Sequence, residues 1–320
     1  MIVKRKLDLE SILVELKERN ARRIGIQLPD GLKYRCKNIA EFFESKGFEV
    51  IISGSACYGA CDIDLNLLKD VDVLLHFAHT PIFEMKDVIY VPYYVDYDLE
   101  DFEDIEIEEK RIALIASAQY AWKLPKVKEI LEKRGYYVEL NRGSDRVKML
   151  GQVLGCNYTV LRNTKAEAVL FIGDGLFHPI GAKIYTGKKV YRFCPLDKEF
   201  EEVNLNDFLK RRYLIISKAM EAERGAILVS SKIGQKRLSL AMKLKRLAKE
   251  KGRNIDIIYM DDITPQKLEN FQYNYFVNTA CPRISYDDIE LYSVPILTPQ
   301  EFEILLGIRE WENYAVDEIP

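Results

Sequence analysis

The sequence predicts an α/β fold that contains three βαβ domains with parallel sheets. Apolar runs of about five to seven residues alternate with amphipathic helical segments, and short loops connect them. Such runs are typical of parallel strands that are buried on both faces. The same strand, helix, strand order begins three times along 320 residues, a length that exceeds the usual size of one hydrophobic core. We therefore predict an internal triplication, although few identical residues recur between the copies.

The first copy follows an amphipathic helix that lies within residues 1–20. Turns rich in Gly, Pro and Asp end its apolar runs and separate strands from helices. We assign residues 1–105 to this first domain. The pattern predicts strands at 23–29, 48–53, 71–77 and 88–95, and helices at about 32–46 and 65–69.

The second and third copies have the same organisation. An acidic stretch at 98–110 precedes the second copy and is predicted to be a solvated bridging segment, and a charged helix over about 206–224 precedes the third. We assign residues 106–205 to the second domain and 206–320 to the third. Predicted strands lie at 111–117, 136–143, 168–175, 189–195, 255–260, 275–282 and 294–299, with helices at 123–134, near 181 and at 236–251. The third copy opens with the stretch GAILVSSKIGQ at 225–235.

Composition and charge exclude two broad classes of function. The net charge of -3 supplies no basic field of the kind that binds a phosphate backbone, so we expect no nucleic-acid partner. No run approaches the roughly 18 apolar residues that cross a bilayer, and the charged N-terminus lacks the apolar core of a signal peptide. We therefore expect a cytoplasmic protein with no membrane partner, in which the six cysteines stay reduced.

Three stretches bring cysteine together with glycine or proline just after an apolar run. The first is GSACYGACDID at 54–64, which contains Cys57 and Cys61; the others are GQVLGCN, which ends just after Cys156, and NTACPRISYDD, which contains Cys281. In parallel α/β sheets, ligands bind beyond the carboxyl ends of the strands, which is where these stretches are predicted to lie. We therefore predict that three of these thiols meet at one metal cluster.

The spacing of the cysteines discriminates between kinds of metal site. A structural zinc site normally takes two close pairs of ligands, whereas only Cys57 and Cys61 are close here. A 4Fe-4S cluster accepts scattered single thiolates, and three of them leave one iron open for a substrate. The alternative is that these cysteines are small buried apolar residues, which is how we interpret Cys36 and Cys194.

Several other polar residues stand at predicted strand ends or loops. His76, His79 and His178 are interpreted as hydrogen-bonding residues rather than as ligands. Gln235 precedes a helix whose N-terminal amides can hold a carboxylate, and Arg283 follows the third cysteine stretch with a guanidinium group suited to another carboxylate. An ordinary helix residue and a surface charge, respectively, are the alternatives. No G-x-G-x-x-G motif occurs in any copy, so ordinary NAD binding is not expected.

Eight short segments follow one another along the chain in a recognisable order: QLPDGL, YGACD, HFAHT, GQVLGCNY, FIGDGLFHP, KIGQ, ACPR and LTPQEFEILLG. Taken in this order, they resemble one family, the archaeal diphthamide-synthesis enzymes named 2-(3-amino-3-carboxypropyl)histidine synthases. The resemblance spans essentially the whole chain and implies three Rossmann-like domains with pseudo-threefold symmetry around a central iron-sulfur site, in a homodimer.

The resemblance also implies which residues hold the cluster. The family's first ligand stands in the YGAC turn, so the implied ligands are Cys61, Cys156 and Cys281. Cys57 is then a departure from the family pattern, and its thiol either competes as a ligand or is spare. The third cysteine of an ordinary radical S-adenosylmethionine loop, C-x3-C-x2-C, is absent after Cys61.

The implied activity is an unusual radical transfer that uses S-adenosylmethionine as co-substrate. One electron breaks the S–Cγ bond of the methionine part, and the 3-amino-3-carboxypropyl radical adds to C2 of a histidine imidazole on translation elongation factor 2. Methylthioadenosine leaves, and this is the first step of diphthamide biosynthesis. We assign Gln235 and Arg283 to holding the amino acid end of S-adenosylmethionine, and an unidentified donor supplies the electron.

Two other functions remain as alternatives at this point. A quinolinate synthase-like dehydratase also has three repeated domains and a 4Fe-4S cluster held by one cysteine from each, and uses the open iron as a Lewis acid. A non-catalytic scaffold that binds zinc or an iron-sulfur cluster would need a fourth protein ligand, most plausibly Cys57. The ordered motifs agree better with the diphthamide family.

Overall fold

The computed structural model describes residues 5–6 and 8–319, and its first unit is built on four parallel strands. The opening helix is capped by Asp8, whose carboxylate accepts a hydrogen bond from the Ser11 N–H at 3.1 Å. Apolar residues on this helix and on the next one pack against one face of the sheet. The elements are β1 Arg5–Lys6, α1 Leu9–Glu18, β2 Arg23–Gln27, α2 Cys36–Glu44, β3 Glu49–Ile52, β4 Val73–Phe77, β5 Val88–Val91 and β6 Tyr94–Val95.

The second unit has a five-stranded sheet with apolar clusters on both faces. The helix Leu124–Lys133 carries a proline in its first turn, where the missing N–H costs no hydrogen bond. The helix before the fourth strand ends at Gly187, whose φ of 65° suits a left-handed cap. The elements are β7 Arg111–Ala116, α3 Ala118–Ala121, α4 Leu124–Lys133, β8 Tyr137–Glu139, β9 Ala168–Ile172, α5 Phe177–Thr186, β10 Lys189–Cys194 and β11 Glu199–Glu202.

The third unit is again built on four parallel strands. Its last helix begins with a capping box, in which the Thr298 side chain and the Glu301 carboxylate each accept a backbone N–H from the other residue. Glu301 also forms a fully buried ion pair with Arg212, which fixes the long first helix on the sheet. The elements are α6 Asn206–Met220, β12 Gly225–Ser230, α7 Leu238–Glu250, β13 Ile255–Met260, α8 Pro265–Leu268, β14 Tyr275–Asn278, α9 Arg283–Tyr286, β15 Ile296–Leu297 and α10 Pro299–Leu305.

The three sheets share one strand order. They run β3-β2-β4-β5, β8-β7-β9-β10-β11 and β13-β12-β14-β15. When only the strands of these main sheets are counted along the chain, the first strand of each sheet lies between the second and the third. All pairings within these sheets are parallel except the one between β10 and β11. The structure therefore confirms the predicted α/β fold with three parallel sheets.

Two strands differ from the sequence prediction for identifiable reasons. The run predicted as one strand at 88–95 is split, because Pro92 has no N–H for the ladder; β5 stays in the main sheet and β6 pairs with β1 in a separate antiparallel ribbon. β11 was not predicted, since EFEE shows no apolar alternation. It is held at the sheet edge by Arg192, whose guanidinium pairs with Glu199 at 2.8 Å and Glu201 at 2.7 Å.

The acidic stretch at 98–110 is more than a solvated connection. Its apolar residues Phe102, Ile105 and Ile107 are buried in the core of the second unit, while several of its acidic residues are exposed. The predicted domain boundary at 105 consequently falls within a packed segment. The two predicted boundaries, 105/106 and 205/206, stay predictions, because neighbouring units also contact each other through side chains.

The topology directs the cysteine stretches to one place. They follow the carboxyl ends of β3, β8 and β14, and the loop that contains Cys156 also extends β7 through a parallel bridge between Ala116 and Gln152. None of the helices in the described ranges is long and apolar enough to cross a membrane.

Candidate metal centre

Three cysteines from three different units line one internal cavity of about 230 Å³. They are Cys61 from the first unit, Cys156 from the second and Cys281 from the third. The structure therefore brings together the three cysteines that the family resemblance had singled out. Of the others, Cys36 begins α2 and packs against the first core, and Cys194 is buried at the end of β10.

The Cys61 loop is held by the first loop of the third unit. The Gly234 N–H donates to the Cys61 carbonyl at 3.1 Å, and the Gln235 side-chain amide donates to the Cys61 sulfur at 3.3 Å. A Cβ atom on Gly234 would lie 2.4 Å from the Cys61 Cα, so only glycine allows the two backbones to come this close. These contacts fix the position and direction of the Cys61 side chain.

A buried charge cluster holds the same two loops together. Lys232 lies 2.6 Å from Asp62 in the first unit and 2.9 Å from Asp262 in the third. Burial raises the pKa of Asp62, and Lys232 opposes that rise. Burial lowers the pKa of Lys232, but the two carboxylates outweigh this effect and the pKa is raised. The ammonium group thus stays charged and links the two units beside the cavity.

The C-terminal segment holds the Cys156 loop. The Ile319 N–H donates to the Cys156 carbonyl at 2.8 Å, and the Tyr158 N–H donates to the Glu318 carboxylate at 3.1 Å. Gly151 precedes the cysteine with a φ of 68°, where a side chain would also clash with leucine side chains and a carbonyl oxygen. The loop is therefore shaped by a left-handed glycine and by contacts with a distant part of the chain.

The Cys281 loop is fixed by side chains that bind its carbonyl groups. The Asn278 amide donates to the Cys281 carbonyl at 2.8 Å, and the Arg237 guanidinium donates to the carbonyls of Thr279 and Ala280 at 2.7 and 3.1 Å. Arg237 is in turn paired with the buried Asp317. The C-terminal segment consequently positions two of the three cysteine loops.

The electrostatics of the three thiols suit a cation at their centre. Burial raises the pKa of Cys156 to about 11 and also raises the pKa of Cys281, and negative charge on the neighbouring cysteines raises both further. Burial likewise raises the pKa of Cys61, against the hydrogen bond from Gln235. Three thiolates crowded in a buried cavity are stable only with positive charge among them, and metal ions supply it while the protons leave. The donor set fits a 4Fe-4S cluster with one thiolate from each unit.

Arg146 is a functional candidate that the sequence pattern did not single out. It lines the cavity, donates to the Gly234 carbonyl at 3.2 Å, and its charge lowers the pKa of Cys61 and Cys156. Its segment, RGSDR, follows a short strand and has no motif-like spacing. Only the folding of the second unit against the third reveals its place.

Cys57 has a different environment from Cys61, although the two are four residues apart. It is buried and is not among the residues that line the cavity; its sulfur lies 4.0 Å from the Nδ1 atom of His79. The Cys57 sulfur and one ring nitrogen each of His76 and His79 lie within 4.8 Å of one another, a spacing that could hold a metal ion of their own. The structure thus places Cys57 among imidazoles and away from the three lining thiols.

A hydrogen-bond chain fixes the two histidines. The Gln27 amide oxygen lies 2.8 Å from His76 Nδ1, and His76 Nε2 lies 2.9 Å from His79 Nδ1. Since the amide oxygen only accepts, His76 donates through Nδ1 and accepts through Nε2, and His79 donates through Nδ1. Burial lowers the pKa of His76 well below its ordinary value and that of His79 to about 4. Both rings are neutral hydrogen-bonding groups, as the sequence suggested.

The two predicted co-substrate residues occupy different places. Arg283 lines the cavity, and its half-exposed side chain lies 3.1 Å from Asp287. Gln235 is buried and touches the Cys61 sulfur, but it is not among the residues that line the cavity. His178, the third predicted histidine, lines the cavity and stacks on Phe171 at 5.8 Å. No carboxylate occurs among the described residues that line this cavity.

Comparison with known proteins agrees with this arrangement. The sequence profile of the diphthamide synthesis protein family matches residues 28–316. The chain is 39% identical over 317 residues to the 2-(3-amino-3-carboxypropyl)histidine synthase of Pyrococcus horikoshii. This alignment covers 96% of this chain and 92% of that protein. It is 28% identical to the enzyme of the same name from Methanocaldococcus jannaschii, over 98% of this chain and 93% of that one.

A solved structure is similar in fold and in cofactor. The crystal structure of Dph2 from Pyrococcus horikoshii with a 4Fe-4S cluster superposes with a TM-score of 0.92 at 37% identity, over 99% of this chain and 95% of that chain. Such agreement covers nearly the whole length of both chains. The cofactor predicted from the cysteine pattern is the one that this similar protein contains.

Proposed function

Because the chain belongs to the diphthamide synthesis family, we propose that it is a 2-(3-amino-3-carboxypropyl)histidine synthase. It transfers the 3-amino-3-carboxypropyl group of S-adenosylmethionine to C2 of a histidine imidazole in a protein of the translation machinery, translation elongation factor 2. Held by three cysteines, a 4Fe-4S cluster would supply one electron to break the S–Cγ bond and an open iron position for the sulfonium group. After the radical adds, return of one electron to the cluster and loss of the C2 proton would restore the imidazole. The products are the modified histidine and methylthioadenosine.

One observation carries this proposal. Three cysteines from three units line a single cavity, and no fourth cysteine is among the described residues that line it. A cluster that only carries electrons needs four protein ligands, whereas three leave room for a substrate at the metal. Cys57, the fourth thiol that a scaffold would require, faces His79 instead. This arrangement favours chemistry at the cluster over a structural role.

The chain's own residues bind and orient the co-substrate. We assign Arg283 to the α-carboxylate of S-adenosylmethionine, since it lines the cavity and its guanidinium is exchangeable between Asp287 and another carboxylate. Gln235 orients the Cys61 sulfur through its amide and, by our assignment, also borders the amino acid end. Arg146 adds a second positive charge to the same cavity. Two guanidinium groups and no carboxylate suit an anionic end of a ligand.

The cysteine environment also bears on location and assembly. Among the described residues the six cysteines are all free thiols, which is typical of a reducing compartment, and we propose that the protein acts in the cytoplasm. A homodimer and a separate one-electron donor complete the proposal. The boundaries 1–105, 106–205 and 206–320 are proposed as the three domains, each of which contributes one ligand.

The test is an anaerobic assay of the reconstituted protein, reduced with dithionite, with S-adenosylmethionine and elongation factor 2. We expect methylthioadenosine and a gain of mass on one histidine of the factor. Cys61→Ala should abolish both products, and Cys36→Ala should retain them because Cys36 packs against the first core. Formation of an intact cluster without either product would contradict the proposal and favour the dehydratase.

A further inference from the structure

A second and larger cavity lies directly beside the metal centre. It encloses about 750 Å³ between the start of α5 in the second unit and the start of α6 in the third. Phe177, His178 and Arg283 line this cavity and also line the cysteine cavity. The two spaces are therefore neighbours that share one wall of three side chains. We call the larger space the outer groove.

The outer groove and the cysteine cavity differ in the charged side chains that line them. The groove is lined by five carboxylates against two guanidinium groups, whereas the cysteine cavity has two guanidinium groups and no carboxylate among its described lining residues. The groove carboxylates are Asp174, Glu201, Glu202, Asp207 and Asp287. The carboxylates of the outer groove thus favour a cationic ligand there.

Two of these carboxylates have charge to offer a ligand. Glu201, Glu202 and Asp287 already form ion pairs within the protein. Asp174 and Asp207 are exposed and form no ion pair with any other residue in the part of the chain that the structure describes. Asp174 comes from the turn after β9 and Asp207 from the first turn of α6, so the second and third units each contribute one free carboxylate to the groove.

Aromatic rings form the groove wall next to the metal centre. Phe177 lies 6.2 Å from Tyr286, and Phe208 lies 5.3 Å from Tyr286, measured between ring centroids. His178 continues this wall to the cysteine cavity. Flat rings of this kind stack with an imidazole, so an incoming histidine has favourable contacts along the path.

We propose that the outer groove binds the segment of the protein substrate that carries the acceptor histidine, and that this segment is basic. The proposal rests on the proposed function, which requires a protein-borne imidazole to reach the cavity. Asp174 and Asp207 bind the cations of the segment, and its imidazole passes the wall of Phe177 and His178. The volume of about 750 Å³ accommodates a few residues of a loop.

The test compares charge reversals in two grooves. The double variant Asp174→Lys, Asp207→Lys reverses the charges proposed for docking. The control, Glu221→Lys with Glu223→Lys, reverses two exposed carboxylates in another groove, which lies beside Arg224 at the amino end of β12. Binding of fluorescently labelled elongation factor 2 to the cluster-free protein is measured by anisotropy at low and high salt, and KM and kcat are measured on the reconstituted enzyme.

We expect the docking variant to bind elongation factor 2 at least about tenfold more weakly at low salt, with a flatter salt dependence, and the control to bind like the unmodified protein. KM for the factor should rise by a similar ratio while kcat at saturation changes by less than about twofold. Unchanged affinity in the docking variant would overturn the proposal, and so would a change of its oligomeric state, which would assign the groove to a second copy of the chain. Methylthioadenosine formation by the unmodified enzyme tests the proposed function separately.

Discussion

The third unit carries its cysteine in a different loop from the first two units, although all three have the same strand order. Cys61 and Cys156 follow the second strand of their units, β3 and β8. Cys281 follows the third strand, β14. The loops that correspond to it, after β4 and β9, bring His79 and His178 to the same cavity.

This difference teaches that the repeated fold sets where loops converge but not which loop supplies a ligand. The loops after the third strands meet at the cavity in all three units, yet only one of them carries a thiol. In the third unit the loop after the first strand instead contacts Cys61, through Gly234 and Gln235. The site is consequently asymmetric, because corresponding segments of the three units bring a thiol to the cavity in one unit and an imidazole in the other two.

The largest effect is expected when the exceptional ligand is removed. Cys281→Ala takes away the one thiolate that follows a third strand, so the reconstituted protein should lose most of its iron. We expect transferase activity to fall by more than about 100-fold, since even outer-shell partners of metal ligands are worth about 10- to 100-fold. Iron and sulfide analysis and the anaerobic assay measure this, with Cys194→Ala as the control at a buried strand end. Full iron content in Cys281→Ala would show that the loop after β14 is not a ligand loop.

The next effect concerns the charge cluster that joins the first and third units. Lys232→Met leaves the buried Asp62 without its cation, and we expect a loss of about 3 to 5 kcal/mol in the free energy of unfolding. Urea unfolding of the cluster-free protein measures it. The double variant Lys232→Met, Asp62→Asn should recover part of the loss, because the unpaired charge is removed as well. Equal losses in the single and double variants would argue against a direct pairing.

A smaller effect is expected from the close approach of two backbones. Gly234→Ala forces the added Cβ into the Cys61 backbone and should destabilise the protein by about 1 to 3 kcal/mol. Gly54→Ala, in the Cys61 loop that Gly234 contacts, is the matched control, since an added Cβ meets nothing within 4 Å there. It should change stability by less than about 0.5 kcal/mol. Thermal unfolding compares the two. A similar shift in both variants would mean that glycine at 234 is not required by this contact.

The two imidazoles that line the cavity predict that the stability of the protein depends on pH. The pKa values of His79 and His178 are lowered from 6.5 to about 4, mainly by burial, so the folded state binds fewer protons than the unfolded state. Their contribution to stability is fully present above the unfolded value of 6.5 and is lost as the pH falls toward 4. Thermal midpoints of the cluster-free protein at about pH 7.5 and about pH 5 measure it. The decrease should be smaller in His79→Gln, and an unchanged decrease would assign the acid sensitivity to other groups.

The smallest effect is expected at Cys57, whose thiol does not line the cavity. Cys57 is buried beside His79, so Cys57→Ala should cost about 1 kcal/mol of packing while iron content and activity stay close to those of the unmodified protein. The contrast with Cys61→Ala, four residues away, makes this the sharpest comparison of the two thiols. Loss of iron in Cys57→Ala would identify it as a ligand.

Much of the site was predictable because its signals are local. A cysteine that follows an apolar run next to glycine or proline is visible in a single short window, and so are the strands that precede it. The family resemblance then distinguished Cys61 from Cys57, which spacing alone had left open. In the structure Cys61 lines the cavity and Cys57 does not, and the ligand assignment stays a prediction.

Other parts of the site were not predictable because their contacts join distant positions. Lys232 pairs with Asp62, 170 residues away, and Arg237 pairs with Asp317 while it binds the Cys281 loop. Arg146 lies in a segment without a motif. No local pattern predicts which long-range partner a surface-type charge will meet, because the partner is chosen by the packing of whole units.

The sequence by itself determined the fold class and the three repeated units, because apolar periodicity and turn residues act over short distances. It also placed the cysteine stretches at predicted strand ends, and the family resemblance then implied which of the thiols meet. Tertiary structure alone decided that the C-terminal segment holds two cysteine loops, that Gly234 must approach Cys61, and that an acidic groove stands next to a cavity without carboxylates. The physical reason is that burial, charge pairing and contact between backbones depend on the positions of neighbouring units. Those positions are fixed only when the three sheets have packed together.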